Sequence, residues 1–319
     1  MKRPALLLLS LLVLACKRDP ATPEPAKPEV VATSEAKPAV TPATDDPWTA
    51  KAEPAPDVLK RVLLWSITKD GKTSYAMGTM HVGIDPARLP KVVWDKLLGA
   101  TSFAMETNAA DAQILNLGAR TSGSLRADLG PVYWEKLSKL VEPKMLAGID
   151  QKKPVIAAVF LSMRGLPMTG LGMDSALLAK AQTASKPIVY LEPASLQAQL
   201  LERHMDIKAL KLMIDTADQS AEMTKQMVAA YVAGDDKKLL ALNDGQKGEA
   251  LSHGYTEAEY EKQSAEMLYD RNASWIPAIE EMHSKGGGFV AVGALHLVGK
   301  KSVLDLLEAK GYKIQRVEP

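Results

Sequence analysis

The chain has 319 residues, 46% hydrophobic and 24% charged, with a formal net charge of +1. That is ordinary for a soluble globular protein, long enough to bury a sizeable core, and its single cysteine excludes an internal disulfide framework. A charge so near zero, with no basic stripe interleaved with aromatics, argues against nucleic acid as a partner.

The chain opens with Met1-Lys2-Arg3, a short positive run, followed by the apolar stretch Leu6 to Leu14. That stretch is too short to span a bilayer and reads as the core of a secretory signal. Val13-Leu14-Ala15-Cys16 resembles a bacterial lipobox. The resemblance implies a signal peptide over residues 1–16, cleavage before Cys16 and lipid attachment to it; the plainer alternative is a signal peptide cut near Ala15. Either way the mature protein is expected outside the cytoplasm. With lipidation it would be anchored to the envelope, and Lys17 bears on sorting, with the outer membrane favoured over the inner. Residues 17–57 are rich in Pro, Ala, Thr, Glu and Lys and poor in large apolar groups. They cannot bury enough surface to fold and read as an extended tether, with Trp48 a lone aromatic that could pack back on the domain.

Residues 58–319 read as the globular domain. Alternation predicts strands over Val62 to Thr68 and Thr73 to Gly78, joined by the turn signal Lys69-Asp70-Gly71-Lys72. Helical spacing follows over Val92 to Leu98, then a strand over Thr101 to Glu106. Helices are expected near Val132 to Val141 and Val155 to Leu166, with a Gly/Pro/Met loop from Gly165 to Gly172. Asp174 opens a helix through Ala181, where it suits a cap or first-turn acid. A strand over Pro187 to Leu191 precedes a long helical region, about Ser195 to Met282, broken near Gly234 and from Gly245 to Gly254. The chain closes with a strand over Gly288 to Gly293, a helix over Val303 to Ala309, a stop at Gly311 and a strand over Tyr312 to Val317. The alternation predicts an α/β fold: a mixed, mainly parallel sheet flanked by helices, with a helical insertion or lid.

One short pattern occurs twice. Ala76-Met77-Gly78-Thr79-Met80-His81 and Ala291-Val292-Gly293-Ala294-Leu295-His296 each run apolar, Gly, small, apolar, His. Gly78 and Gly293 allow a sharp turn or a close backbone approach where a strand ends. Four polar groups share this placement, because His81, Glu106, Glu192 and His296 each sit at or just past a predicted strand end. Ligands bind at the carboxyl ends of parallel strands in open α/β sheets, so parallel strands would bring all four to one rim.

Two imidazoles and a carboxylate leave coordination positions open and suit a catalytic divalent metal such as Zn, Mn, Co or Fe, which would lower the pKa of bound water. Glu106 could be a ligand or the base, or only a first-turn acid of the next segment. Glu192 could instead begin a turn before Pro193. Arg271, followed by Asn272 in an apolar-patterned helix, could pair with a site carboxylate, stabilise an anion, or be a surface charge. His204, His253 and His283 read as surface residues, and the methionines as packing. There is no His-Glu-x-x-His helix and no Gly-x-Ser-x-Gly elbow, so neither a zincin nor an α/β-hydrolase serine enzyme is indicated.

From about Leu63 to Val317 the chain resembles the TraB/GumN family, related to the Tiki proteins. The resemblance is carried by Gly78-Thr79-Met80-His81, Met105-Glu106-Thr107, Gly172-Met173-Asp174, Val189-Tyr190-Leu191-Glu192 with Gln197, and Arg271-Asn272. It ends with Phe289 to Leu297, around the second Gly-x-x-His, and Gly311-Tyr312. The Tiki branch is described as metal-dependent proteases needing two Gly-x-x-His motifs and a glutamate. The wider group shares an α/β fold with erythromycin-esterase-like hydrolases and a haem-binding lipoprotein family. By position this implies His81, Glu106 and His296 as the central set, with Arg271 and Asn272 in support. The leading expectation is a lipid-anchored, metal-dependent hydrolase acting on peptides or small molecules. The alternatives are a non-catalytic lipoprotein that binds peptide, haem or metal, and a metal-free esterase-like hydrolase with His81 or His296 as base.

Overall fold

The computed structural model describes residues 57–166 and 172–318. The leader with Cys16, the tether up to residue 56 with Trp48, and most of the Gly165 to Gly172 loop lie outside them. Six strands form one sheet: β1 Leu64–Lys69, β2 Lys72–Thr79, β3 Phe103–Met105, β4 Ile188–Tyr190, β5 Phe289–Gly293 and β6 Lys313–Arg316. Their order is β4-β3-β5-β2-β1-β6. β2, β5, β3 and β4 run parallel, whereas β1 is antiparallel to both β2 and β6. The expected α/β fold with a mainly parallel sheet is therefore present.

Local chemistry explains the frame. Asp70 and Gly71 both take left-handed backbone angles, φ 51° and 73°, which is the tight two-residue turn that matches strand twist. Every residue of β5 is buried, as expected of a parallel strand covered on both faces. The helix Met173–Thr183 lies against β3 and β5 and touches the helix Lys91–Gly99. The helix Asp270–Ser284 lies against β2 and packs on the helix Val303–Ala309.

The middle of the chain is more divided than expected. Helices Ala194–His204, Ile207–Asp215 and Ala217–Val232 replace a single run, broken at positions that carry neither Gly nor Pro. They also serve two cores. Met223, Met227 and Tyr231 join the sheet core, while Leu200, Leu201 and Leu210 join a second, all-helical core with Leu125, Val155 and Leu161. The expected helical insertion is thus built from two separate stretches of sequence. Among the described residues no helix is long and apolar enough to cross a membrane.

Candidate functional site

The carboxyl ends of β2, β3, β4 and β5 converge because the strands are parallel and adjacent. His81 follows β2, Glu106 follows β3, Glu192 follows β4 and His296 follows β5. All four are buried. The Glu192 N–H donates to the Glu106 carbonyl oxygen at 2.9 Å, which extends the β3–β4 pairing to the two acids.

Arg271 occupies the centre and is only 2% exposed. Its Nε donates to Glu192 Oε2 at 2.8 Å, and its Nη2 donates to Glu192 Oε1 and Glu106 Oε2, both at 2.7 Å. Nη1 donates to the Met267 carbonyl at 3.0 Å and to His296 Nε2 at 3.3 Å. A guanidinium carries five N–H groups, so every donor is matched to a protein acceptor. Arg271 is a buried positioning residue, neither a surface charge nor an available anion clamp. A short π-helical turn, Ala265–Tyr269, precedes its helix and supplies the Met267 carbonyl.

Glu106 Oε1 accepts from the Gly293 N–H at 2.8 Å, and Oε2 also accepts from Gln197 Nε2 at 3.1 Å. Burial would raise its pKa. The charges of His296, Arg271 and His81 and the Gly293 N–H outweigh that and hold it near 2. Burial pushes the Glu192 carboxyl up, against the fork of Arg271 and an N–H from Trp275 at 3.2 Å. Glu192 thus belongs to the buried network and does not merely start a turn.

The two histidines are held differently. His296 is 0% exposed and its ring lies against Trp275, with centroids 4.6 Å apart. Its Nδ1–H donates to Asn272 Oδ1 at 2.6 Å; the Asn272 amide is oriented by Nδ2, which donates to the Lys301 carbonyl at 2.9 Å. Burial, with repulsion from Arg271 and His81, drives His296 down to about 3 against the attraction of Glu106, so the ring is neutral near pH 7. His81 keeps 7% of its surface exposed. Its Nδ1–H donates to Asp174 Oδ2 at 2.6 Å, while Thr79 Oγ1 donates to Asp174 Oδ1 at 2.7 Å. Asp174 sits in the first turn of its helix, as expected, with its two oxygens engaged by Thr79 and His81; Gly172 is the N-cap. A Cβ at Gly172 would collide with the His81 carbonyl oxygen, so glycine is what lets this helix reach His81.

The twin glycines are not opposite each other. Thr79 pairs with Gly293 and Gly78 with Val292, a stagger of one residue. Gly78 has a close-approach role, because a Cβ there would lie 3.0 Å from Ala294 Cα. Its carbonyl accepts from Tyr231 Oη at 2.7 Å. Thr79, Trp275 and Tyr231 are site-supporting residues that the sequence reading passed over. Trp275 carries a signal: it lies four residues after Arg271, on the same helical face. His283 corrects an expectation, since it is 4% exposed and bonds Ser74 Oγ at 2.9 Å and the Lys69 carbonyl at 3.1 Å. His204 is partly buried against Glu266 at 2.8 Å, and His253 lies at an exposed helix end.

A divalent metal shared by His81, Glu106 and His296 does not fit this arrangement of side chains. The Arg271 cation bonds Glu106 Oε2 and lies where a metal would approach His296 Nε2. Among the described residues no group of three His, Cys, Asp or Glu side chains is disposed to hold a metal. His296 Nε2 does come within 3.8 Å of Glu106 Oε1.

No curated protein and no solved structure matches the chain. One family model does, over residues 63–316, which is well over half the chain and takes in every residue of the site. The chain belongs to the TraB/PrgY/gumN family.

Proposed function

We propose a lipid-anchored, extracytoplasmic hydrolase in which His81 is the general base, acting on a peptide or small-molecule acyl bond. The observation that carries the reading is the 2.6 Å bond from His81 Nδ1 to Asp174 at the carboxyl rim of the sheet. A carboxylate on Nδ1 fixes the ring's tautomer and stabilises the imidazolium formed when Nε2 takes a proton from water. The exposure difference also supports it, since His81 keeps 7% of its surface exposed and His296 none. The hydroxide so generated attacks the carbonyl, and His81 returns the proton to the leaving group. Arg271, Glu106 and Glu192 act from below by fixing the strand ends.

A metal-dependent reading has one observation in its favour. Both imidazoles give Nδ1–H to a side-chain oxygen, the bond that orients metal-ligating histidines. It requires Arg271 to release Glu106. Turnover of an acyl-peptide library with and without chelator separates the readings, alongside elemental analysis of wild type, His81→Ala and His296→Ala. Chelator-resistant cleavage that disappears in His81→Ala supports the proposal. Cleavage lost on chelation, with metal lost in both variants, supports the second reading. Tight binding with no product supports a receptor.

A further inference from the structure

Beside the buried cluster lies a cleft of about 290 Å³, on the side of the π-helical turn. Residues 267–269 of that turn form one wall, and Leu295 of the second Gly-x-x-His adjoins them. Tyr260 and Ser264, from the helix that runs into this turn, also line it, and Asp244, Lys247 and Glu261 form the charged part of the lining. The volume is at the small end for ligand pockets, enough for one side chain and its neighbour. The wall and the cluster are one unit, because the carbonyl of Met267 receives Arg271 Nη1 while Met267 also lines the cleft. The turn is a true π-turn: the Asp270 N–H bonds the Ala265 carbonyl, five residues back. Such one-residue insertions recur at functional sites.

The lining combines apolar and aromatic groups, Leu268, Tyr269 and Leu295, with the acids Asp244 and Glu261. Lys247 is neutralised by Glu261 at 3.2 Å and Glu257 at 3.5 Å. Asp244 has no ion pair among the described residues and is exposed. The uncompensated charge is therefore negative.

We infer that this cleft is a recognition subsite for a peptide in which an apolar or aromatic side chain is followed by a cationic one. The ring or chain would lie against Leu268, Tyr269 and Leu295, and the cation would meet Asp244. The assignment rests on the hydrolase reading only in naming the occupant a substrate.

The test uses the purified full chain and three fluorescein-labelled pentapeptides, Gly-Gly-Phe-Lys-Gly, Gly-Gly-Phe-Glu-Gly and Gly-Gly-Ser-Lys-Gly. Anisotropy is read with wild type, His81→Ala, Asp244→Lys and Leu268→Trp, and cleavage is followed by mass spectrometry. The Phe-Lys peptide is expected to bind about tenfold more tightly than either other peptide. Asp244→Lys should reverse the Lys-over-Glu preference, and Leu268→Trp, by filling the cleft, should weaken both Phe peptides about tenfold. His81→Ala should keep the selectivity. Equal affinities within twofold, or wild-type selectivity in both cleft variants, overturn the assignment. If selectivity holds but nothing is cleaved, hydrolysis fails and the subsite stands. If His81-dependent cleavage occurs without selectivity, the subsite fails and hydrolysis stands.

Discussion

His81 and His296 leave neighbouring parallel strands, yet the two segments end in different chemistry. The first chain bends after Thr79 and hands its imidazole to a carboxylate, Asp174. The second coils into a single 3-10 turn, Ala294–His296, and hands its imidazole to a neutral amide, Asn272. An anionic partner favours the ring that gains a proton; a neutral partner under full burial favours the ring that never does. The same four-residue pattern thus leaves one imidazole on a carboxylate with some exposure and the other on an amide with none. The neighbour, rather than the histidine, sets the difference.

The largest expected contrast is between the alanine variants. His81→Ala should lower kcat by about 10²–10⁴-fold, the usual contribution of a general base, and should also cost some stability because the buried Asp174 loses its partner. His296→Ala should lower the melting temperature with a far smaller loss of kcat. Equal losses of rate in the two variants would erase the distinction. Next comes the residue between them. Arg271→Met leaves two buried carboxylates without their cation and should cost about 3–5 kcal/mol in urea unfolding. Adding Glu192→Gln should recover part of that loss; no recovery would mean that the two acids are not held by a common charge.

Exchanging the partners sharpens the comparison further. Asp174→Asn should reduce kcat about a hundredfold with little change in KM, whereas Asn272→Asp should leave kcat within a few-fold. The comparison also extends to pH. His296 sits at about 3 in the folded protein against an ordinary 6.5, so the unfolded chain binds that proton more readily. Its contribution to stability is complete above pH 6.5 and is lost as the pH falls toward 3. Glu106, at about 2 against 4.5, adds a loss of the same sign between those values. Urea midpoints across this range should fall on acidification, and His296→Gln should flatten the upper part of the slope. A wild-type profile flat between pH 6.5 and 3 would contradict the burial of a neutral ring.

Much of the frame was legible because its signals are local. Asp70-Gly71 announces the hairpin, and Gly311, at φ 85°, ends a helix as expected. The rim was legible because strand ends in a parallel sheet share a side, so His81, Glu106, Glu192 and His296 could be grouped before any contact was seen. What stayed open, or failed as with His283, depended on distant partners. An acid in a first helical turn reads as a cap, and nothing nearby says that Asp174 faces His81, 93 residues earlier in the chain. Arg271 reads equally as a surface charge, since its two carboxylates lie 79 and 165 residues away. His283 is buried by Ser74, 209 residues distant. The division of the middle helices was missed for another reason. Asp206 caps the helix Ile207–Asp215 through the Ala209 N–H at 2.9 Å, a start signal that attention to glycines alone overlooks.

The near-contact of Gly78 with Ala294 has a mechanical outcome. A methyl group on Gly78 would sit 3.0 Å from Ala294 Cα, so the ends of the two central strands pack closely on each other, and Tyr231 holds one of them through the Gly78 carbonyl. Gly78→Ala would act as a wedge, and its damage should appear first in how tightly guests are held, before any loss of folded protein.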